Sequence, residues 1–384
     1  DIPSQEEVDE ALTLICPKGL GKKAARRNRN IYYISLESAF DFFPFWDKYP
    51  EVKMLYPSQY IEWVKQRGAL TAPGFIEEGS FKSRFVSLCS SHYDLPPTGL
   101  GDYPCLPRVL SLNGYKTIAF DEAAPTYDLD RLYSQFGFNE VNFLGARIEG
   151  AQFYESVLQS LSHLAMETPK FVVIFPFTGH HGHGLVPIQG YEVPAPVSPF
   201  ASELNNKNAI ASSAMGIKFA VEFAEKILAK DRNAVVVFRN DHMFPKTTYS
   251  IKSGPLGSQS RLEPDSPFLQ RFMVVSDNSF DRRYSTIVSP QDISTLLLEI
   301  SSVPYLNMPE GRLLSSLSGS FSHNGFQYYT DYKNIYKQSS DSLTPVDITS
   351  LPEEVAAINE AKRLISRDLF YGKQYSYSSS VLLH

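Results

Sequence analysis

Three short apolar runs, each ending on residues that can bind a metal, constrain this chain more than any other feature. IYYISL (31–36) runs into Glu37, and FVVIFPF (171–177) runs into a loop with His180, His181 and His183. AVVVF (234–238) runs through Arg-Asn into the adjacent pair Asp241 and His242. Unbroken runs of β-branched and aromatic residues mark strands buried on both faces of a sheet, which cannot alternate apolar with polar. Helical patterns separate them. YESVLQSLSHLAM (154–166) precedes the second run, and MGIKFAVEFAEKILAK (215–230) precedes the third, with Phe219, Phe223, Ile227 and Leu228 on one face. Strands alternating with helices predict an α/β fold, a mostly parallel central sheet sandwiched by helices.

In open sheets of this kind, sites form outside the carboxyl ends of the strands. Singly, each end has a plain explanation. A Glu after a strand is ordinarily an acid in the first turn of the next helix, an Asp-His dipeptide is ordinarily a turn, and a His-rich loop is ordinarily solvated. Together, Glu37, the histidine loop and Asp241-His242 converge on one sheet edge. Carboxylate plus imidazole is a ligand set for zinc or manganese, whose charge polarises a phosphoryl or sulfuryl oxygen.

The remaining pattern divides the chain in three. Residues 1–29 read as a helical lead-in and a basic linker, 30–305 as the catalytic α/β domain, and 306–384 as a small C-terminal α+β subdomain. Within the second part, PFLQRFMVVSD (267–277) reads as a further strand and SPQDISTLLLEI (289–300) as a helix opened by Ser-Pro and Asp292. In the third, residues 314–336 read as short strands and turns, and PEEVAAINEAKRLISRDLF (352–370) as a helix.

Charge narrows the partners. A net charge of -6 gives no basic face for double-stranded nucleic acid. The one basic cluster, KKAARRNR (22–29), fits a solvated linker or a contact with lipid phosphates. No stretch reaches the roughly 18 apolar residues of a membrane span. The chain opens on neither a signal peptide nor an initiator Met, as a mature fragment would, so an upstream membrane segment is compatible with it. Cys16, Cys89 and Cys105 make no C-x-x-C pattern. Cys89 and Cys105 bracket a Pro/Gly-rich loop, where a disulfide and two buried thiols both fit.

The order of NIYYISLES, a serine-rich loop, CLPRVLSLNGYKTIAF, PKFVVIFPFTGHHG, VVVFRNDH and SPQDISTLLLEI resembles the alkaline phosphatase–sulfatase superfamily. Over residues 29–305 the chain is most similar to the extracytoplasmic domains of lipoteichoic acid synthase-like phosphoglycerol transferases and the related phosphoethanolamine transferases. The resemblance implies one divalent metal, Mn or Zn, held by Glu37, Asp241 and His242 together with a Ser or Thr nucleophile. It implies that His181 stabilises the transferred phosphate, with His180 beside it. It further implies a phospholipid donor, a glycan or lipid acceptor, and an extracytoplasmic, membrane-anchored location.

The nucleophile falls in GSFKSRFVSLCSSHYDLPP (79–97), read as a loop. In the synthase-like pattern it follows a small residue, precedes a Phe by five positions and precedes a Y-G-L-P-like turn; Ser80, Phe85 and YDLP (93–96) satisfy this. The phosphoethanolamine pattern selects Ser91 instead, and Ser83, Ser90 and Cys89 are the remaining nucleophiles of the segment. Sulfatases need C-x-P-S-R around their modified cysteine, and CSSHY at Cys89 lacks both Pro and Arg, which weighs against that chemistry. Phosphoglycerol-transferring members hold the head group with W-N-R-D. Here TYDLDRLY (126–133) offers Tyr127 for the Trp and Leu129 for the Arg, leaving Arg131, or Arg147 in FLGARIEG, to clamp phosphate. Two other readings share these residues: a phosphodiesterase, phosphatase or sulfatase-like hydrolase, and a non-catalytic relative serving as a binding module.

Overall fold

The computed structural model describes residues 4–15, 29–65, 69–75, 80–91, 105–125, 127–145, 150–164, 168–178, 190–203, 207–242, 269–276, 288–303, 316–330, 334–338 and 343–370. The three apolar runs lie side by side at the heart of one sheet. In chain order its strands are β1 (Asn30–Leu36), β2 (Ala69–Phe75), β3 (Lys116–Asp121), β4 (Glu140–Phe143), β5 (Lys170–Phe175), β6 (Ala234–Asn240) and β7 (Leu269–Ser276). Across the sheet the order is β2-β7-β6-β1-β5-β3-β4. Strands β6, β1, β5, β3 and β4 run parallel, so their carboxyl ends share one edge; on the other side β7 pairs antiparallel with β6, and β2 pairs antiparallel with β7.

The predicted mostly parallel sheet is therefore present, with three strands, β2, β3 and β4, that the sequence pattern did not reveal. Strand β2, ALTAPGF, contains a proline and a glycine. Both weaken a strand pattern, and both are tolerated at a sheet edge.

Every side chain of β1 and β6 is buried, which is why neither strand alternates. Ile31, Tyr33, Val235 and Val237 face one core, closed by α3 (Ser80–Cys89), α4 (Leu106–Leu112), α5 (Tyr127–Phe136) and α9 (Ile293–Ser301). Tyr32, Ile34, Val236 and Phe238 face the other, closed by α6 (Ala151–Ser162) and α8 (Lys207–Lys230). Burying each Val or Ile contributes about 1.5–3 kcal/mol, so these strands hold the sheet edge in place against the polar groups it carries. Among the described residues, no helix is long and apolar enough to cross a membrane.

Beyond the main sheet, β8 (Ser320–His323), β9 (Phe326–Thr330), β10 (Ile335–Gln338) and β11 (Leu343–Val346) form an antiparallel sheet. Asp292, just before α9, accepts from Ser320 N–H at 3.0 Å and Ser320 Oγ at 2.6 Å, joining this sheet to the larger body. The last helix, α10 (Glu353–Phe370), packs on α1 (Gln5–Ile15). Ala361 and Ile365 share a core with Val8 and Leu12 and with the α3 face of the sheet.

The stretch read as a serine-rich loop is a helix through Cys89. Serines disfavour helix by bonding to nearby backbone, but Phe85, Val86 and Leu88 are completely buried and packing overrides that preference. Of the two cysteine alternatives, the disulfide holds: Cys89 at the end of α3 is bonded to Cys105 just ahead of α4. The bridge spans 16 residues, and closing a loop of that length stabilises by about 3 kcal/mol. A Cys89→Ala/Cys105→Ala variant is therefore expected to unfold at a clearly lower urea midpoint. An unchanged midpoint would show that packing alone fixes α3.

Candidate active site

The carboxyl ends of β1 and β6 are neighbours in register, with Leu36 opposite Asn240. The next residues, Glu37 and Asp241-His242, thus emerge together. Asp241 N–H still donates to Leu36 O at 3.1 Å, extending the ladder into the site. Ser38 then takes a left-handed turn, φ 48°, which aims its N–H back at Asp241 Oδ1, 2.9 Å away. That oxygen also accepts from His242 N–H at 2.6 Å. Asp241 Oδ2, by contrast, is buried and accepts no hydrogen bond.

Ser80, the first residue of α3, faces this pair. Its Oγ lies 2.8 Å from Glu37 Oε1 and 2.8 Å from His242 Nε2, and His242 Nε2 lies 2.7 Å from Glu37 Oε1. Ser38 Oγ stands 3.2 Å from Glu37 Oε1. Ser83, one turn along α3, donates to Asp241 O at 2.9 Å and fixes the helix against the strand end. One donor atom each from Glu37, Asp241 and His242 falls within a mutual distance of 4.8 Å, and all three residues are buried. Ser80 also sits at a helix N-terminus, where backbone N–H groups lack intrahelical acceptors and the helix dipole favours an anion.

Charge makes the arrangement more specific. Burial pushes the Glu37 carboxyl upward, but the hydrogen bond and charge of His242, the charge of Arg84 and the Ser80 hydroxyl together hold it well below the usual carboxylate range. Asp241 goes the other way: burial first, then the charge of Glu37, pushes it up to about 7. One carboxylate is kept ionised while its neighbour resists ionising beside it.

A fourth strand end contributes, which sequence reasoning missed. Asp121, the last residue of β3, accepts from Arg84 Nη1 at 2.8 Å and from the Tyr133 hydroxyl, while Arg84 Nη1 also donates to Tyr133 Oη at 2.6 Å. Arg84 Nη2 lies 3.5 Å from Glu37 Oε2, and the guanidinium carbon stands 4.3 Å over the Phe175 ring. Three carboxyl groups, Glu37, Asp241 and Asp121, thus gather around one guanidinium in a buried place, where a divalent cation would relieve the crowding of acidic groups. Asp241 Oδ2, which accepts no hydrogen bond, and the carboxylate–imidazole donor set both fit a divalent metal.

Of the other residues named from sequence, Ser91 lies at the far end of α3 from Ser80, roughly 15 Å away at 1.5 Å per residue. Its hydroxyl pairs with Ser366 of α10. Ser90 donates to Gln291 O at 2.7 Å, and Cys89 is tied up in the disulfide. Arg131 is half-buried on α5, and its backbone carbonyl accepts from Ser134 Oγ. His180, His181, His183, Arg147, the side chain of Tyr127 and residues 22–28 of the basic cluster lie outside the described residues.

No family model matches this chain, and no curated protein does. Solved structures do. The lipoteichoic acid synthase LtaP of Listeria monocytogenes superposes over 96% of this chain and 99% of its own, with a TM-score of 0.65 at 15% identity. The phosphoglycerol transferase GacH of Streptococcus pyogenes, solved with sn-glycerol-1-phosphate, covers 97% of this chain and 96% of its own, with a TM-score of 0.63 at 16% identity. A protein in the alkaline phosphatase superfamily from Vibrio parahaemolyticus covers 96% of both chains, with a TM-score of 0.61 at 13% identity. At these identities the likeness is one of fold. The chain has an alkaline phosphatase-like fold, in agreement with the resemblance carried by its motifs.

Proposed function

We propose that this chain is a metal-dependent phosphotransferase. It moves a phosphoglycerol- or phosphoethanolamine-type substituent from a lipid donor to a cell-surface glycan or lipid through a covalent phospho-Ser80 intermediate. The observation that carries this reading is the meeting of Ser80 Oγ with Glu37 Oε1 and His242 Nε2, each 2.8 Å away, beside the unpartnered Asp241 Oδ2. Glu37, Asp241 and His242 hold one divalent ion, Mn or Zn. When bound, that ion lowers the pKa of a nearby hydroxyl and offsets charge on phosphoryl oxygens.

The chain's own residues do the rest. Ser80 Oγ attacks phosphorus and its proton passes to the departing oxygen; the Oγ–P bond forms as the P–O bond to the lipid alcohol breaks. The α3 N-terminus receives the equatorial oxygens, and His181 is the residue assigned to steady them. An acceptor hydroxyl then attacks the same phosphorus, the Oγ–P bond breaks, and the acceptor's proton returns to Ser80 Oγ. Arg131 and Arg147 are the candidates to hold the head group, with Tyr127 against it. The buried Cys89–Cys105 disulfide supports an oxidising, extracytoplasmic location.

The test uses phosphatidylglycerol and phosphatidylethanolamine carrying label in the head group. Metal-loaded protein is expected to become labelled on Ser80 and to pass the label to an added glycan. If neither lipid labels the chain with Mn or Zn present, the transferase reading fails. Release of free head-group phosphate at a rate independent of acceptor would instead establish a hydrolase at the same site.

A further inference from the structure

Arg84 lies at the centre of the buried network and has no place in the chemistry above. It lies one helical turn past Ser80 on α3, and both residues face the carboxyl edge of the sheet. We infer that Arg84 is a positioning residue that fixes which oxygen of Glu37 faces the metal site; this rests on the metal-dependent reading of that site.

The geometry separates the two oxygens of Glu37. Oε2 is turned toward Arg84 Nη2 at 3.5 Å, whereas Oε1 receives Ser80 Oγ and His242 Nε2. A carboxylate with both oxygens free can rotate between one-point and two-point binding. With Oε2 engaged, only Oε1 is presented. The guanidinium is in turn held on three sides: by Asp121 Oδ2 at 2.8 Å, by Tyr133 Oη at 2.6 Å, and by the face of Phe175. Asp121 is itself pinned, because its Oδ1 accepts from Ala123 N–H at 2.8 Å. The chain of contacts therefore runs from β3 through Arg84 to Glu37 at the end of β1. It adds a third strand to the two that carry the metal-binding side chains. An arginine suits this task because its planar fork serves two acceptors at once, which a lysine ammonium cannot do in fixed geometry.

Charge and positioning predict opposite signs. If Arg84 acted on the site through its charge alone, removing it would leave Glu37 more strongly attracting to a cation, and the metal would bind more tightly. If it acts by holding Glu37, the metal binds more weakly, by roughly 10- to 100-fold, as for other residues that orient a metal ligand.

Metal-free protein is titrated with Zn or Mn by calorimetry, and kcat and KM are measured on the loaded enzyme. Arg84→Met and Arg84→Lys are both expected to weaken metal binding and lower kcat with little change in KM. Since Arg84→Met leaves Asp121 buried without its partner, Arg84→Met/Asp121→Asn removes both charges and leaves the net charge of the network unchanged. The double variant is expected to melt near the wild type and still bind metal weakly. Wild-type or tighter metal affinity in the double variant would overturn the inference and leave Arg84 as a structural partner of Asp121. A wild-type protein that binds neither ion would overturn the metal-dependent reading and this inference together.

Discussion

Replacing Ser80 with alanine is expected to stop phospho-enzyme formation and to lower turnover at least about 10^3-fold, the order of loss seen when a covalent nucleophile is removed. The fold should survive. Ser80 is the first residue of its helix and only part-buried, and Glu37 Oε1 keeps its contact with His242 at 2.7 Å when the hydroxyl is gone. Losing one such hydrogen bond costs about 1 kcal/mol. Mass spectrometry of the protein after exposure to donor lipid reads the first effect, and thermal melting the second. Ser91→Ala is the matched control. Ser91 pairs with Ser366 on the far side of the helix, so its loss is expected to leave turnover near wild type. Should Ser80→Ala still carry a phosphoryl group, the nucleophile lies elsewhere and the reading of α3 falls.

Asp241→Asn is expected to do two opposite things. Its Oδ1 position still accepts from Ser38 and His242 N–H, so the turn that shapes the site is retained. In place of Oδ2 it presents an amide N–H₂ to the ionised Glu37, a donor that, unlike the wild-type carboxyl, is not lost as pH rises through about 7. Metal affinity should fall by roughly 100-fold or more, since this removes a ligand rather than a supporting contact, while the metal-free protein becomes more stable.

The pH dependence gives the second arm its sign. Asp241 holds its proton up to about 7 in the folded state, against an ordinary value of 3.8. Its contribution to stability is thus complete below about pH 4 and is lost as pH rises through 7. Glu37 runs the other way, so the wild type alone mixes the two. The melting difference between metal-free Asp241→Asn and metal-free wild type should therefore widen from pH 5 to pH 8. A constant difference would mean that Asp241 titrates normally and that its surroundings are wetter than the structure shows.

Glu37, Asp241 and His242 were legible in the sequence because each follows an unbroken apolar run, and a polar residue at the end of a doubly buried strand has few places to go. The central sheet was legible for the same reason. Ser80 needed a family pattern, because serine in a serine-rich stretch carries no signal of its own. Arg84 and Asp121 were not found at all. An arginine within SFKSRF reads as a surface residue, and an aspartate after KTIAF reads as the start of a turn. Their meaning lies in an encounter between α3 and β3 that no local pattern announces. The helical state of residues 80–89 was missed through the same limitation: serine propensity is local, whereas the burial of Phe85 and Leu88 is tertiary.

The helix α3 has a mechanical consequence. Ser80 and Arg84 occupy its first turns, Ser83 is tied to the end of β6, Ser87 O accepts from Ser294 of α9, and Cys89 is covalently joined to the residue ahead of α4. The nucleophile is thus the tip of a clamped rod, while the groups it must meet are rooted in the sheet. Alignment between the two is set by how the rod is mounted, including at anchor points well away from the chemistry. Substitutions at Ser294 or at the Cys89–Cys105 bridge, remote from any substrate, would be felt at the tip as a change in reach rather than as a loss of a reacting group.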